Sequence, residues 1–265
     1  MDDDRTIKEP EEKVQGKPRF SAEAVIRQMR DAGLHNMDAE KILYQAERNL
    51  NEAYRKYGHC FPPVVPPSQE SKDRMKAEIL AKYQRRESLS GMDMTGVDLS
   101  NLDLRGIDFR EAFLEGANLS GADLRGADFS GSVLVRANLS MAQLQTARMQ
   151  GASMGESVLT GADLSGADLT GTILVNADLS NTRLSDAAME EADLSGARLC
   201  KADLSRARAR KARFMGSDLT KAILTEADVR DGLFVRAILE GADFTGINVE
   251  AAIFAGVVGN PRKTL

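Results

Sequence analysis

The chain has 265 residues, a formal net charge of −5 and only 5% aromatic residues, so it excludes neither acidic nor basic partners. Its two cysteines, Cys60 and Cys200, lie far apart in sequence, which excludes a disulfide framework and favours a reducing compartment. No apolar run approaches membrane-spanning length and the start MDDD is unlike a signal peptide, so the expectation is a cytoplasmic protein, with export by a machine reading another signal left open.

Residues 1–20 are charged, mixed in sign and poor in apolar groups, and read as a disordered tail. Residues 21–59 read as a helical pair. Ser21 serves as N-cap for a first helix with Ala22, Val25, Ile26 and Met29 on one face, and Gly33 comes next as a stop. The second helix covers 38–57, with Ile42, Leu43, Ala46, Leu50, Ala53, Tyr54 and Tyr57 on one face. Residues 60–70, CFPPVVPPSQE, form a proline-rich linker expected to be stiff and extended. Residues 71–88 read as a third helix, with Met75, Ile79, Leu80 and Tyr83 inward, that caps the long C-terminal segment.

From Leu89 to Phe254 every fifth residue is bulky and apolar, without a break in phase; Ala209 alone is small. Two residues before each large residue the chain mostly places Ala, as in Ala117, Ala122, Ala127, Ala162 and Ala167. One residue before it stands Asp or Asn in most repeats, and two after it often Gly. A period of five suits neither a helix nor a flat strand, so it marks a repeat architecture covering 89–258, with a short tail at 259–265. Two inward positions per five residues require one bend per repeat. Four sides then close a coil of twenty residues, and coils stack at ~4.8 Å. About eight coils would give a rod roughly 40 Å long. All seven prolines fall outside the repeat, where they delete no ladder donor. Twenty-residue stacking turns core positions into ladders, one of which ends in Phe214, Phe234 and Phe254, a predicted aromatic stack.

The motif A(D/N)LXX, nearly perfect in GANLSGADLRGADFSG (116–131) and GADLSGADLTG (161–171), resembles the pentapeptide-repeat family. The resemblance implies an all-β fold, a right-handed quadrilateral β-helix, here with an α-helical N-terminal extension. The entry phrase LSGMDMTGVDLSNLDLRGIDF (89–109) is more weakly similar to the pentapeptide tails of proteins encoded with type VI secretion effectors, which implies an adaptor or chaperone role.

The outward positions carry the functional question. On one wall they depart from the polar rule: Phe113, Val133, Val135, Ile173, Val175, Met215, Leu233, Val235 and Ile253 form an apolar track, read as a partner-binding surface. The competing reading is that the N-terminal helices fold back and cover it. A basic cluster, Arg198 to Arg213, is spread around the ring without interleaved aromatics, which argues against nucleic acid. An Asp ladder (Asp103, Asp123, Asp163, Asp203, Asp243) resembles the acidic rods of quinolone-resistance members, which implies duplex mimicry of a topoisomerase substrate. Arg148, Arg183 and Gln143 interrupt the acidic rows, and turn-compatible Asp explains them equally well. His35 and His59 lie outside the repeat, and no spacing of catalytic or metal-ligating groups is recognisable, so neither enzyme activity, cofactor nor metal is expected. The expectation is a non-catalytic scaffold or adaptor for a protein partner, possessing no membrane segment. Gyrase inhibition by duplex mimicry and a spacer without client are the alternatives, and the C-terminal coil is either blunt or the seat of a homodimer.

Overall fold

The computed structural model describes residues 21–31 and 37–262. The expectations for the N-terminal tail, for Gly33 and for His35 lie outside the described residues. Three helices come first: α1 (Ala22–Asp31), α2 (Met37–Tyr57) and α3 (Gln69–Gln84). The Ser21 hydroxyl accepts the Ala24 N–H at 3.2 Å and opens α1. Helix α3 begins at Gln69, two residues before the sequence reading, because Ser68 caps it by accepting the Ser71 N–H. It ends at Gln84 rather than 88.

Beyond α3 the backbone repeats one hydrogen-bonding unit. The coil around Leu114 is representative. Leu114 N–H donates to Val133 O at 2.7 Å, Gly116 N–H to Val135 O at 3.0 Å, and Phe113 N–H to Met92 O at 2.9 Å. A turn closes as Ala117 N–H donates back to Leu114 O at 3.0 Å. Parallel bridges accordingly join each outward residue to the one twenty positions on, from Asp93 with Phe113 to Ile238 with Val258. A turn every five residues and a bridge every twenty define a four-sided coil, and each side stacks into a wall.

The residue two after each large core residue has φ near +60°, and the turn is type II in consequence. Gly occupies this position in repeats such as Gly121 and Gly166, where no Cβ opposes a left-handed backbone. Elsewhere a side chain takes it, most often Asn, Glu, Lys or Arg, as at Asn101, Glu191 and Arg136. The strain of each is offset by the three ladder bonds its repeat makes.

The core is one continuous column of the large and small inward residues. The phenylalanine stack is formed: Phe214 to Phe234 and Phe234 to Phe254 both have ring centroids 4.7 Å apart and planes inclined by 11°. Helix α3 closes the N-terminal end, with Ile79 fully buried and Met75, Leu80 and Tyr83 packed against the column. Tyr83 Oη also donates to Arg105 O at 2.9 Å. At the other end Ile247, Val249, Phe254 and Val257 are only partly buried. No helix among the described residues is long and apolar enough to cross a membrane.

Helix α2 differs from its sequence reading in one respect. Tyr54 is buried, but Ile42 is 68% exposed and Tyr57 49% exposed. The first half of α2 has α1 as its packing partner, and α1 presents only a narrow apolar stripe around Ala22 and Ile26. That stripe cannot cover the broad face the spacing suggested.

Candidate functional site

The wall that carries the apolar track divides into two halves. Its N-terminal half is covered by the chain itself. Tyr54, near the end of α2, packs with Phe113, Val133 and Val135 into a small second core, and Phe61 closes its side. The Tyr54 ring meets Phe61 edge-on at 5.4 Å and Phe113 at 6.3 Å. Phe113, Val133 and Val135, expected to contact a partner, are therefore buried by an intramolecular contact and are not displayed. The next residues on this wall, Ser153 and Gly155, are small for a reason visible here. A Cβ on Gly155 would lie 2.5 Å from the Cβ of His59, so only glycine lets the turn Gly58–Cys60 lie flat on the wall.

Polar contacts fix this segment, which we call the latch. Glu115 is the hub, its side chain 3% exposed. It accepts from the Tyr54 hydroxyl, from Val64 N–H at 3.1 Å and from Arg136 Nη1 at 2.9 Å. Burial pushes the Glu115 carboxyl above the ordinary glutamate range, while the Val64 N–H and Arg136 pull it back down. Arg136 uses its remaining donors to hold backbone, donating to Phe61 O at 2.8 Å and His59 O at 3.3 Å, and its Nε reaches Glu156 at 2.8 Å. Arg55 donates to Gly131 O at 2.7 Å and lies over the Phe113 ring at 4.7 Å. Burial lowers the Arg55 value from the ordinary guanidinium range, and Glu111 at 3.9 Å partly restores it.

The proline strap after the latch turn shows a three-residue rhythm. Phe61, Val64 and Pro67 are half-buried toward the rod, while Pro62, Pro63, Val65 and Pro66 are exposed. Three residues per turn is the period of a polyproline helix, consistent with the extended backbone of Phe61 and Ser68 at its two ends.

Among the described residues nothing covers the C-terminal half of the same wall. Ile173, Val175, Met215, Leu233 and Val235 are half-buried there, and Ile253 is 49% exposed. On the adjoining wall Ile238 and Val258 extend the apolar surface, Val258 being 61% exposed.

The two charged features resolve into local pairings. Arg206 forms a two-pronged bridge to Asp186 at 2.7 and 2.8 Å, Lys211 pairs with Glu191 at 3.3 Å, and Arg213 with Asp193 at 3.7 Å. These three basic side chains thus lean on a carboxylate one coil away, and pairs this exposed contribute little to stability. The Asp ladder is tied to its own turns. Asp163 Oδ1 accepts both the backbone N–H and the hydroxyl of Ser165, and Asp203 and Asp243 repeat the arrangement with Ser205 and Thr245. Asp103 and Asp123 instead grip Arg105 and Arg125, and these hydrogen bonds hold both carboxyls below the usual range. Among the described residues no group of His, Cys, Asp or Glu is arranged to hold a metal ion. Cys60 is exposed, Cys200 half-buried, and both are free.

Sequence reasoning named the apolar wall but missed Glu115 and Arg136. Both stand at positions where an outward charged residue is ordinary. The available signal was Gly155, which breaks the habit of polar residues after the large core residue.

Comparison with known proteins identifies the repeat. The pentapeptide repeats family matches in eight copies, spread over residues 86–256. Among solved structures, HetL, a pentapeptide repeat protein involved in heterocyst differentiation regulation from the cyanobacterium Nostoc sp. strain PCC 7120, is 26% identical, covering 69% of this chain and 93% of that one at a TM-score of 0.35. A trypsin-treated variant of QnrB1, a plasmid-mediated fluoroquinolone resistance protein, is 17% identical, covering 64% of this chain and 91% of that one at a TM-score of 0.50. Rfr23, a pentapeptide repeat protein from the cyanobacterium Cyanothece 51142, is 19% identical over 70% of this chain and 99% of that one, with a TM-score of 0.21. No curated protein matches. The repeat matches, together with the twenty-residue ladder, make this chain a member of the pentapeptide repeat family, whose fold is the right-handed quadrilateral β-helix.

Proposed function

We propose that the protein is a non-catalytic interaction scaffold, a cytoplasmic rod of about eight coils (~4.8 Å each) that binds a protein partner along the open half of its apolar wall. The observation that carries this reading is the contrast on that wall: Ile173, Val175, Met215, Leu233, Val235 and Ile253 lie uncovered in line with residues that the chain's own latch buries. Surface of that kind is characteristic of contact sites. Family membership supports an interaction role, and the locally paired charges favour a protein over nucleic acid. An adaptor for a secretion effector is the finer form of this reading.

Affinity capture with the full chain, compared with the double substitution Ile173→Asp and Leu233→Asp, tests it. A protein retained by the wild type and lost by the variant supports the scaffold; identical capture by both overturns it in favour of a spacer. Duplex mimicry predicts inhibition of gyrase supercoiling at micromolar protein, and the turn-bound Asp and interleaved Arg speak for no inhibition. Homodimerisation through the C-terminal coil is a second reading, favoured by the half-exposed Phe254 and Val257; a monomer at high concentration in analytical ultracentrifugation would remove it.

A further inference from the structure

The latch site has a second copy on the rod. The covered site is built on Val133-Leu134-Val135-Arg136-Ala137, and the same pattern returns as Leu233-Phe234-Val235-Arg236-Ala237. The copy lies on the same wall, five twenty-residue steps further along, or about 24 Å at ~4.8 Å per step. The apolar pair faces outward in both places, but Ala255 carries a Cβ where Gly155 leaves room for His59. The occupancy differs. Val133 and Val135 are fully buried under Tyr54, whereas Leu233 and Val235 are half-exposed. Arg136 is engaged by Glu115, Glu156 and two backbone carbonyls. Arg236 is exposed, has no side-chain hydrogen bond or ion pair among the described residues, and its stem passes over Gly256 where Arg136 meets Glu156.

We propose that this second site receives a partner's segment of the latch type: the C-terminal turn of an amphipathic helix with one large apolar anchor, followed by extended chain whose carbonyls accept from Arg236. This rests on the scaffold reading and names the chemistry of its partner. Three substitutions between the sites define that chemistry. Ala255 replaces Gly155, so the partner carries Gly where the latch has His59. Met215 replaces Glu115, so no carboxylate awaits a hydroxyl, and the anchor is Phe, Leu or Met rather than Tyr. Arg213 replaces Phe113, so the residue after the anchor, which is Arg55 in the latch, is acidic in the partner. A partner so built is rejected by the covered site, where Glu115 and Glu111 would face its acid and the Tyr54 hydroxyl would be missing.

The probe is a fluorescein-labelled peptide of residues 46–67 of this chain carrying Tyr54→Phe, Arg55→Glu and His59→Gly, titrated with the full-length protein and read by anisotropy. The expected result is saturable one-to-one binding in the range of ~10–100 µM. Arg236→Ala and Val235→Asp should each weaken it about tenfold or more, a loss of ~1.4 kcal/mol. Circular dichroism melts show whether each variant is folded. Absence of saturable binding, or binding indifferent to Arg236→Ala, overturns the proposal. If the peptide fails while Leu233→Asp still removes the captured partner, the scaffold stands and the latch-like partner falls. If the peptide binds while capture is unaffected by the wall variant, the site stands and the scaffold falls.

Discussion

Val135 and Val235 occupy equivalent places on one wall of one repeat, yet the first is fully buried and the second is half-exposed. The repeat supplies both with the same backbone, the same stacking between adjacent coils, and the same Arg one residue later. The difference comes from outside the repeat. Helix α2 and the strap reach the first site and stop short of the second. On a solenoid, then, the repeat pattern decides which side chains enter the core column, but burial on the outer walls is decided by whatever non-repeat chain is long enough to lie on them.

The strongest way to break this comparison is a charge placed on each half. Val135→Asp puts an unpaired carboxylate beneath Tyr54, next to Glu115, and should cost ~3 kcal/mol or more of latch stability. Val235→Asp, half in water, should change overall stability by no more than ~0.5 kcal/mol. Hydrogen exchange of the segment 50–64 measures the first and thermal unfolding the second. Equal effects would mean that the latch does not seal the wall. Gly155→Val is next in size. Its backbone is compatible with any residue, but the new Cβ would meet His59, so the turn 58–60 must lift, at a cost of ~1–3 kcal/mol. Protease cleavage after Arg55 should accelerate accordingly, whereas Ala255→Val on the open half should have no such effect.

The smallest effect sharpens the comparison through pH. Burial raises the folded-state value of Glu115, so its contribution to the latch is complete below the ordinary glutamate range and is lost as pH rises through the raised value. The groups facing it are Arg136, Glu156 and the Tyr54 hydroxyl. Latch protection in the wild type, corrected for intrinsic exchange, should therefore decline between acid and neutral pH. Glu115→Gln should remove that slope. A wild-type profile as flat as the variant's would show that Arg136 neutralises the carboxylate completely.

Much of this molecule is legible in the sequence because a five-residue period admits few physical solutions. Leu114, Ala117 and the Phe214–Phe254 stack follow from size and phase alone. Helix α3 is legible through Ile79, whose spacing puts it over an otherwise exposed end. That the N-terminal helices could cover the apolar wall is legible from their apolar faces, but the latch's position is not, because it depends on how α2 docks across a gap of some sixty residues, and local spacing holds no record of such a docking. Tyr54 reads equally well as an ordinary helix-face residue. Ile42, assigned to the same face, shows the limit: the pattern marks what is apolar, but only the tertiary partner decides what is covered.

Since bridges always join residues twenty apart, evolution cannot lengthen this rod by arbitrary amounts without scrambling its exterior. Gaining or losing a single pentapeptide would leave the interior content but rotate everything downstream by a quarter circle, carrying Leu233, Val235 and Arg236 out of line with the sealed site. Duplication of genetic segments encoding whole coils is the change that preserves facial alignment, and relatives that share both sites should differ in length between them by multiples of twenty.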